Sequence, residues 1–147
     1  MNGARNLPGE PDRTLELFLV EDSAEVRERI SLMLCTIPGV RVVGHADGAA
    51  DAIREIALAN PHVVLLDISL KSGTGMEVLM AVKRSAPGIR FIVLSNSSAP
   101  QYRAKYLAAG AEHFLDKTYE FGQLAGIVAQ LHRTATTRGR KCSHPQS

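Results

Sequence analysis

At 147 residues, with 45% hydrophobic and 22% charged side chains, the chain suits one domain that buries a core unaided. No apolar run nears the roughly 20 residues that span a bilayer, the start MNGARNLPGEPDR lacks the apolar stretch of a secretory signal, and two cysteines, Cys35 and Cys142, make neither a disulfide framework nor a zinc site; the cytoplasm is the expected location. The net charge of +2 is uneven: residues 133–147 hold Arg133, Arg138, Arg140, Lys141 and no acid, leaving 13 basic against 15 acidic residues before them.

Residues 1–13, with Pro8, Gly9 and Pro11, read as a flexible lead-in. LELFLV (15–20) is a strand candidate running into Glu21-Asp22-Ser23. Val26, Ile30, Met33, Leu34 and Ile37 then recur at helical spacing, with Ser23 or Asp22 as N-cap and Pro38-Gly39 as stop. VRVVGHA (40–46) is the second strand, and Asp47 to Ala59 the second helix, closed by Asn60-Pro61. HVVLLD (62–67) is the third strand, and its unbroken apolar run predicts burial on both faces. A loop through Gly75 leads to a helix at about 76–86 that stops at Pro87-Gly88. RFIVLSN (90–96), a short helix over 101–109, EHFLDK (112–117) and a last helix over about 120–132 complete the series. The basic end, 133–147, reads as a disordered, solubilising tail, with contact to nucleic acid or an acidic partner as the alternative.

Five strands alternating with five helices call for a doubly wound α/β fold of the flavodoxin-like type, a parallel sheet covered by helices on both faces. The most apolar strands, the first and third, belong at its centre. That gives the order 2-1-3-4-5 and a topological switch point beside those two strands. The residues at the carboxyl ends there are Glu21 and Asp22, Asp67, Ser95 and Lys117. Taken singly, each has an ordinary reading: capping acids, a turn serine, a solvated lysine. Brought together, three carboxylates repel one another unless a hard divalent cation relieves them. Asp67 is then an oxygen nucleophile toward phosphorus, Lys117 balances the charge of an incoming phosphoryl group, and Ser95 donates to one of its oxygens.

The stretches FLVEDS (18–23), VVLLDISL (63–70), Gly75, FIVLSN (91–96) and GAEHFLDK (110–117) resemble the receiver domain of bacterial two-component response regulators, over about residues 14–132. The resemblance implies a CheY-like fold and implies that Asp67 accepts a phosphoryl group from the phosphohistidine of a sensor histidine kinase or phosphotransfer protein. It implies a Mg²⁺ (or Mn²⁺) site made by Glu21, Asp22, Asp67 and the backbone carbonyl of Ser69, with Asp22 the more direct ligand of the acidic pair. Ser95 matches the hydroxyl that moves toward the phosphoryl group, Phe114 the aromatic switch on the fifth strand, and Lys117 the site lysine. Ser69 and Ser97 stand at the two positions that tune phosphoryl lifetime. Two departures are present: Lys71 and Thr118 stand where the family often has proline.

The resemblance further implies an output face on the fourth helix, fifth strand and fifth helix, here carrying Gln101, Tyr102, Lys105, Tyr106 and Tyr119. The i, i+4 spacing of Tyr102 and Tyr106 suits one aromatic patch, packing at the helix edge being the alternative. This face would meet an unknown downstream protein or a second copy of the chain. The 15 residues after position 132 are too few for a DNA-binding output domain, so a stand-alone binding module, rather than an enzyme, is expected. The alternatives are a scaffold that works without phosphorylation and an aspartate-nucleophile phosphatase. Those phosphatases resemble D-x-D-x-T, and Ser69 occupies the place of the second Asp. KSGTG lacks phosphate-loop spacing, and the five histidines, at 45, 62, 113, 132 and 144, show no metal-ligand pattern.

Overall fold

The structure is a computed structural model that describes residues 14–96, 99–117 and 120–142, with side chains described to residue 134. The expectations for residues 1–13, Ser97, Thr118, Tyr119 and residues 143–147 lie outside it. The elements are β1 (Leu15–Val20), α1 (Ala24–Cys35), β2 (Val40–Ala46), α2 (Ala49–Ala59), β3 (Val63–Asp67), α3 (Gly75–Ser85), β4 (Arg90–Ser95), α4 (Pro100–Ala108), β5 (His113–Asp116), a 3₁₀ turn over Phe121–Gln123 and α5 (Leu124–Cys142). All strands pair in parallel, in the order β2-β1-β3-β4-β5.

The strand pleat sends alternate residues to opposite faces, and each face has its own core. Phe18, Val20, Val64, Leu66, Phe91, Val93 and Phe114 pack with Ala52 and Ile56 of α2, Val78, Leu79 and Val82 of α3, and Tyr106 of α4. Leu15, Leu17, Leu19, Leu65, Ile92, Leu94 and Leu115 pack with Ile30 and Leu34 of α1 and Leu124, Val128 and Leu131 of α5. Every residue of β3 is buried, as expected for a strand with a layer of helices on each side.

Helix ends carry most of the differences from the sequence reading. Ser23, not Asp22, caps α1 by accepting from the Val26 N–H, so the Asp22 carboxylate stays out of the cap. The helix α2 starts at Ala49, two residues later than expected, because Gly48 pairs in a bridge with Ser72. The helix α5 runs on to Cys142, past the end near 132 where its apolar stripe stops.

The start of α3 is tightly specified. Thr74 Oγ1 accepts from the Glu77 N–H while Glu77 Oε1 accepts from the Thr74 N–H, a reciprocal capping box. Between them Gly75 donates to the Ile68 carbonyl. A Cβ on Gly75 would lie 2.9 Å from Ile68 Cα and 3.0 Å from the Asp67 carbonyl oxygen, so only glycine lets the helix approach the end of β3 this closely. The capping box was readable as T-x-x-E at 74–77.

Candidate functional site

Because β1 and β3 are neighbours, their carboxyl ends bring Glu21 and Asp22 to Asp67. One carboxylate oxygen from each of the three lies within 4.8 Å of the others. Glu21 and Asp67 are 2% and 3% exposed, whereas Asp22 faces solvent. The end of β5 supplies Lys117, and its N–H donates to the Ser95 carbonyl at 2.7 Å, tying the ends of β4 and β5 together.

The two buried carboxylates are held in parallel ways. Glu21 Oε2 accepts from the Ser23 N–H at 3.1 Å, and Glu21 Oε1 takes the Lys117 ammonium at 2.8 Å. Asp67 Oδ1 accepts from the Ser69 N–H at 3.1 Å, and Asp67 Oδ2 lies 3.2 Å from Lys117 Nζ. Arg27 of α1, a residue the sequence reading passed over, reaches back to donate from Nη1 to the Glu21 carbonyl at 2.8 Å. It braces the loop that carries the acidic pair. Nothing in the helical spacing of α1 singles Arg27 out.

These contacts set the charge states. Burial pushes the Asp67 carboxyl up from 3.8 to about 6, against the pull of Lys117 and the Ser69 N–H, with the Glu21 charge adding to the rise. Burial works against the Lys117 ammonium too, but the hydrogen bond to Glu21 and the charges of Asp67 and Glu21 outweigh it and hold Lys117 above its usual value. When all three acids are ionised, they carry three negative charges against one positive charge from Lys117. A divalent cation would neutralise the remaining two. The donors are hard carboxylate oxygens on a partly open edge, which suits Mg²⁺ in a site that leaves it several waters. The residues therefore fit the cation that the sequence implies.

The other expected residues fall as follows. Ser95 is buried at the end of β4, in register with Asp116 of β5. Ser69 is exposed in the loop after Asp67. Phe114 is buried in the core beneath α4, its ring 6.0 Å from that of Tyr106 and covered by the Arg103 guanidinium at 5.3 Å. Arg103 also pairs with Glu120 at 3.0 Å, and Glu120 accepts from the Asp116 N–H at 2.8 Å. That last bond, with the guanidinium beside it, holds the Glu120 carboxyl below its ordinary value.

Gln101, Tyr102 and Lys105 are exposed on α4. Tyr106 is not: it is 5% exposed and part of the core, so the aromatic patch of Tyr102 and Tyr106 expected on the surface is not there. Four residues turn a helix about 40° past a full revolution, enough to swing Tyr106 from the rim over the sheet, where its ring packs against Phe114.

Comparison with known proteins gives a consistent picture. The profile of the response regulator receiver domain matches residues 17–129. The response regulator GacA of Pseudomonas aeruginosa is 27% identical over 117 residues, covering 80% of this chain and 55% of that protein. The DNA-binding transcriptional activator DevR/DosR of Mycobacterium tuberculosis is 29% identical over 117 residues, with 80% and 54% covered. The chain thus spans about half the length of these curated relatives. The crystal structure of the response regulator domain of Thermotoga maritima CheB superposes with a TM-score of 0.74 at 26% identity, over 85% of this chain and 98% of that one.

Proposed function

The chain belongs to the response regulator receiver domain family, and on that premise we propose that it takes a phosphoryl group onto Asp67 from the phosphohistidine of a histidine kinase or phosphotransfer protein, in a Mg²⁺-dependent reaction. The observation that carries this reading is the sharing of Lys117 between Glu21 and Asp67. One ammonium held between a buried acid and the acceptor supplies the positioning and the positive charge on which phosphoryl transfer to a carboxylate depends.

In that reaction Asp67 Oδ bonds to phosphorus as the P–N bond to histidine breaks, and the electron pair of that bond returns to the imidazole. The transition state spreads negative charge over the equatorial phosphoryl oxygens, so catalysis lies mainly in positioning and charge balance. Asp67 is fixed at the end of a strand buried on both faces, with the Ser69 N–H orienting one oxygen. Lys117 stands beside the other oxygen and follows the charge onto the phosphoryl group. Ser95 is the hydroxyl donor from β4. Glu21, Asp22, Asp67 and the Ser69 carbonyl would hold Mg²⁺ (or Mn²⁺), which supplies positive charge to the phosphoryl oxygens when bound.

The reading extends to output. Phosphorylation changes the charge that Ser95 and Lys117 face, and the α4–β5–α5 face, with Gln101, Tyr102 and Lys105, carries the signal to a partner protein through altered contacts. Ser69 and Ser97, both small and neutral, leave water access to the phosphoryl group untuned by carboxylate or amide. No helix among the described residues is long and apolar enough to cross a membrane.

The test is intact-protein mass after incubation with a small phosphodonor, with and without Mg²⁺, beside Asp67→Asn. A single added phosphoryl group that requires both the metal and Asp67 is the expected result. Absence of any adduct, together with failure to bind beryllium fluoride, would sink the reading.

A further inference from the structure

The sheet order places β1 between β2 and β3, so β2 and β3 do not pair. Beyond the end of β1, however, the chain leaving β2 meets the loop that follows β3. Residues 46–49 are fastened there on both sides. The Glu21 N–H donates to the Ala46 carbonyl at 3.0 Å, which holds the loop of the acidic pair. On the other side the Lys71 N–H donates to the Asp47 carbonyl at 3.2 Å, Gly48 bridges to Ser72, and the Ala49 N–H donates to the Ser72 carbonyl at 2.8 Å. The fit is close: Gly73 turns at a φ of +79°, and a Cβ there would collide with that of Ala49.

Lys71 makes a second bond to the same residue. Its Nζ lies 3.5 Å from Asp47 Oδ2, so the backbone and the side chain of Lys71 both end on Asp47. The proline that often stands at this position in the family has no N–H to donate and no charge. The pair is exposed, at 69% and 41%, and an ion pair of that kind is weak on its own. Its value lies in what it clamps. The Mg²⁺ ligands of the receiver reading come from two loops: Glu21 and Asp22 after β1, Asp67 and the Ser69 carbonyl at the end of β3 and beyond. Without a cation the carboxylates repel one another. Lys117 ties the two buried ones together, and the bonds through residues 46–49 hold the backbones of the same two loops.

We infer that residues 46–49 form a strap that sets the spacing of the two metal-holding loops before the cation arrives, and that Lys71 is the positioning residue that fastens the strap to the acceptor loop. The inference rests on the receiver reading and deepens it by naming what prearranges the site. It also fixes a sign. Lys71 adds a positive charge near an acidic site, so through its field alone it would weaken Mg²⁺ binding. As a fastener it strengthens Mg²⁺ binding, because donors already in place need less ordering when the ion binds.

The test titrates the full chain with Mg²⁺, read by the amide NMR shifts of residues 67–75. It compares the parent with Lys71→Met, Lys71→Arg, Asp47→Asn and the double variant Lys71→Met/Asp47→Asn, and thermal melting reads the fold. All four variants should melt close to the parent. The expected result is Mg²⁺ binding about threefold weaker in Lys71→Met, the worth of an exposed ion pair, with Lys71→Arg close to the parent. Asp47→Asn should bind more weakly as well, and the double variant no more weakly than Asp47→Asn, since the tie can be cut only once. Mg²⁺ binding unchanged or tighter in Lys71→Met overturns the inference and leaves the receiver reading intact. So does a double variant in which the two losses add. A parent chain that does not bind Mg²⁺ overturns both.

Discussion

Lys117 and Glu21 stand 96 positions apart in the chain, yet Lys117 Nζ and Glu21 Oε1 are 2.8 Å apart, and the same ammonium lies 3.2 Å from Asp67. The contact closes a loop from the first strand to the fifth across the carboxyl edge of the sheet. It binds the two buried acids into one electrostatic unit whose members cannot be changed independently.

Removing the lysine should therefore destabilise the metal-free protein. Lys117→Ala leaves Glu21 and Asp67 buried without their shared cation. Loss of one partner from a buried pair costs about 3–5 kcal/mol, and the open edge of this site reduces that to about 2 kcal/mol near pH 7.5. The deficit should shrink at pH 5, where Asp67 takes up a proton, and in millimolar Mg²⁺, which replaces the lost charge. Urea unfolding at the two pH values, with chelator and with Mg²⁺, measures all three; a deficit indifferent to both would show that Lys117 acts only through packing.

The pH dependence of Asp67 has a definite sign. Its folded pKa of about 6 lies above the unfolded value of 3.8, so between these values the native state holds a proton that the unfolded chain has lost. Stability from this group is full below about pH 4, falls as pH rises, and levels above about 6, with a total span of about 2–3 kcal/mol. Asp67→Asn lacks this titration. Its stability in chelator should match the parent near pH 4 and exceed it at pH 7.5, as read from urea midpoints across that range. A parent and a variant that run parallel in pH would contradict the shift.

Much of the site was legible because its residues terminate strands. Once the alternation of strands and helices sets a parallel sheet with β1 beside β3, the positions of Glu21, Asp22, Asp67, Ser95 and Lys117 follow from topology, with no side-chain detail needed. Tyr106 was harder. Its spacing from Tyr102 marks a shared helical side, but only the packing of α4 on β5 decides which edge of that side turns inward. Arg27 was illegible for a related reason: its target is a backbone carbonyl, which leaves no trace in residue identity. The end of α5 was set too early because the apolar stripe ends at Leu131, although no proline follows until Pro145.

The capping box at α3 makes a local prediction. Thr74→Ala deletes the side-chain acceptor of the Glu77 N–H and leaves only the backbone half of the capping box, the residue-74 N–H donating to Glu77, costing about 1 kcal/mol. Thr74→Ser retains the hydroxyl and should recover most of the loss in urea unfolding. Because the cap lies at the far end of the loop from Asp67, phosphoryl uptake should slow in Thr74→Ala but remain Mg²⁺-dependent.

Gly75→Ala is the sharper test of that loop, since it adds one methyl group and touches no charge. The new carbon would meet Ile68 Cα and the Asp67 carbonyl oxygen at 2.9 and 3.0 Å, both backbone atoms that cannot swing aside. Either α3 retreats from the sheet or the end of β3 moves, and overpacking of this kind costs about 2 kcal/mol. The damage should not stop at stability. A displaced Asp67 carbonyl carries the carboxylate with it, loosening its 3.2 Å contact with Lys117. At a temperature where the variant is fully folded, the rate of phosphoryl uptake from a small donor should fall by at least about tenfold, since small misplacements of reacting atoms are costly. Gly88→Ala, where nothing lies within 4 Å of the added carbon, serves as the control. Uptake by folded Gly75→Ala at the parental rate would show that the β3–α3 approach does not position the acceptor.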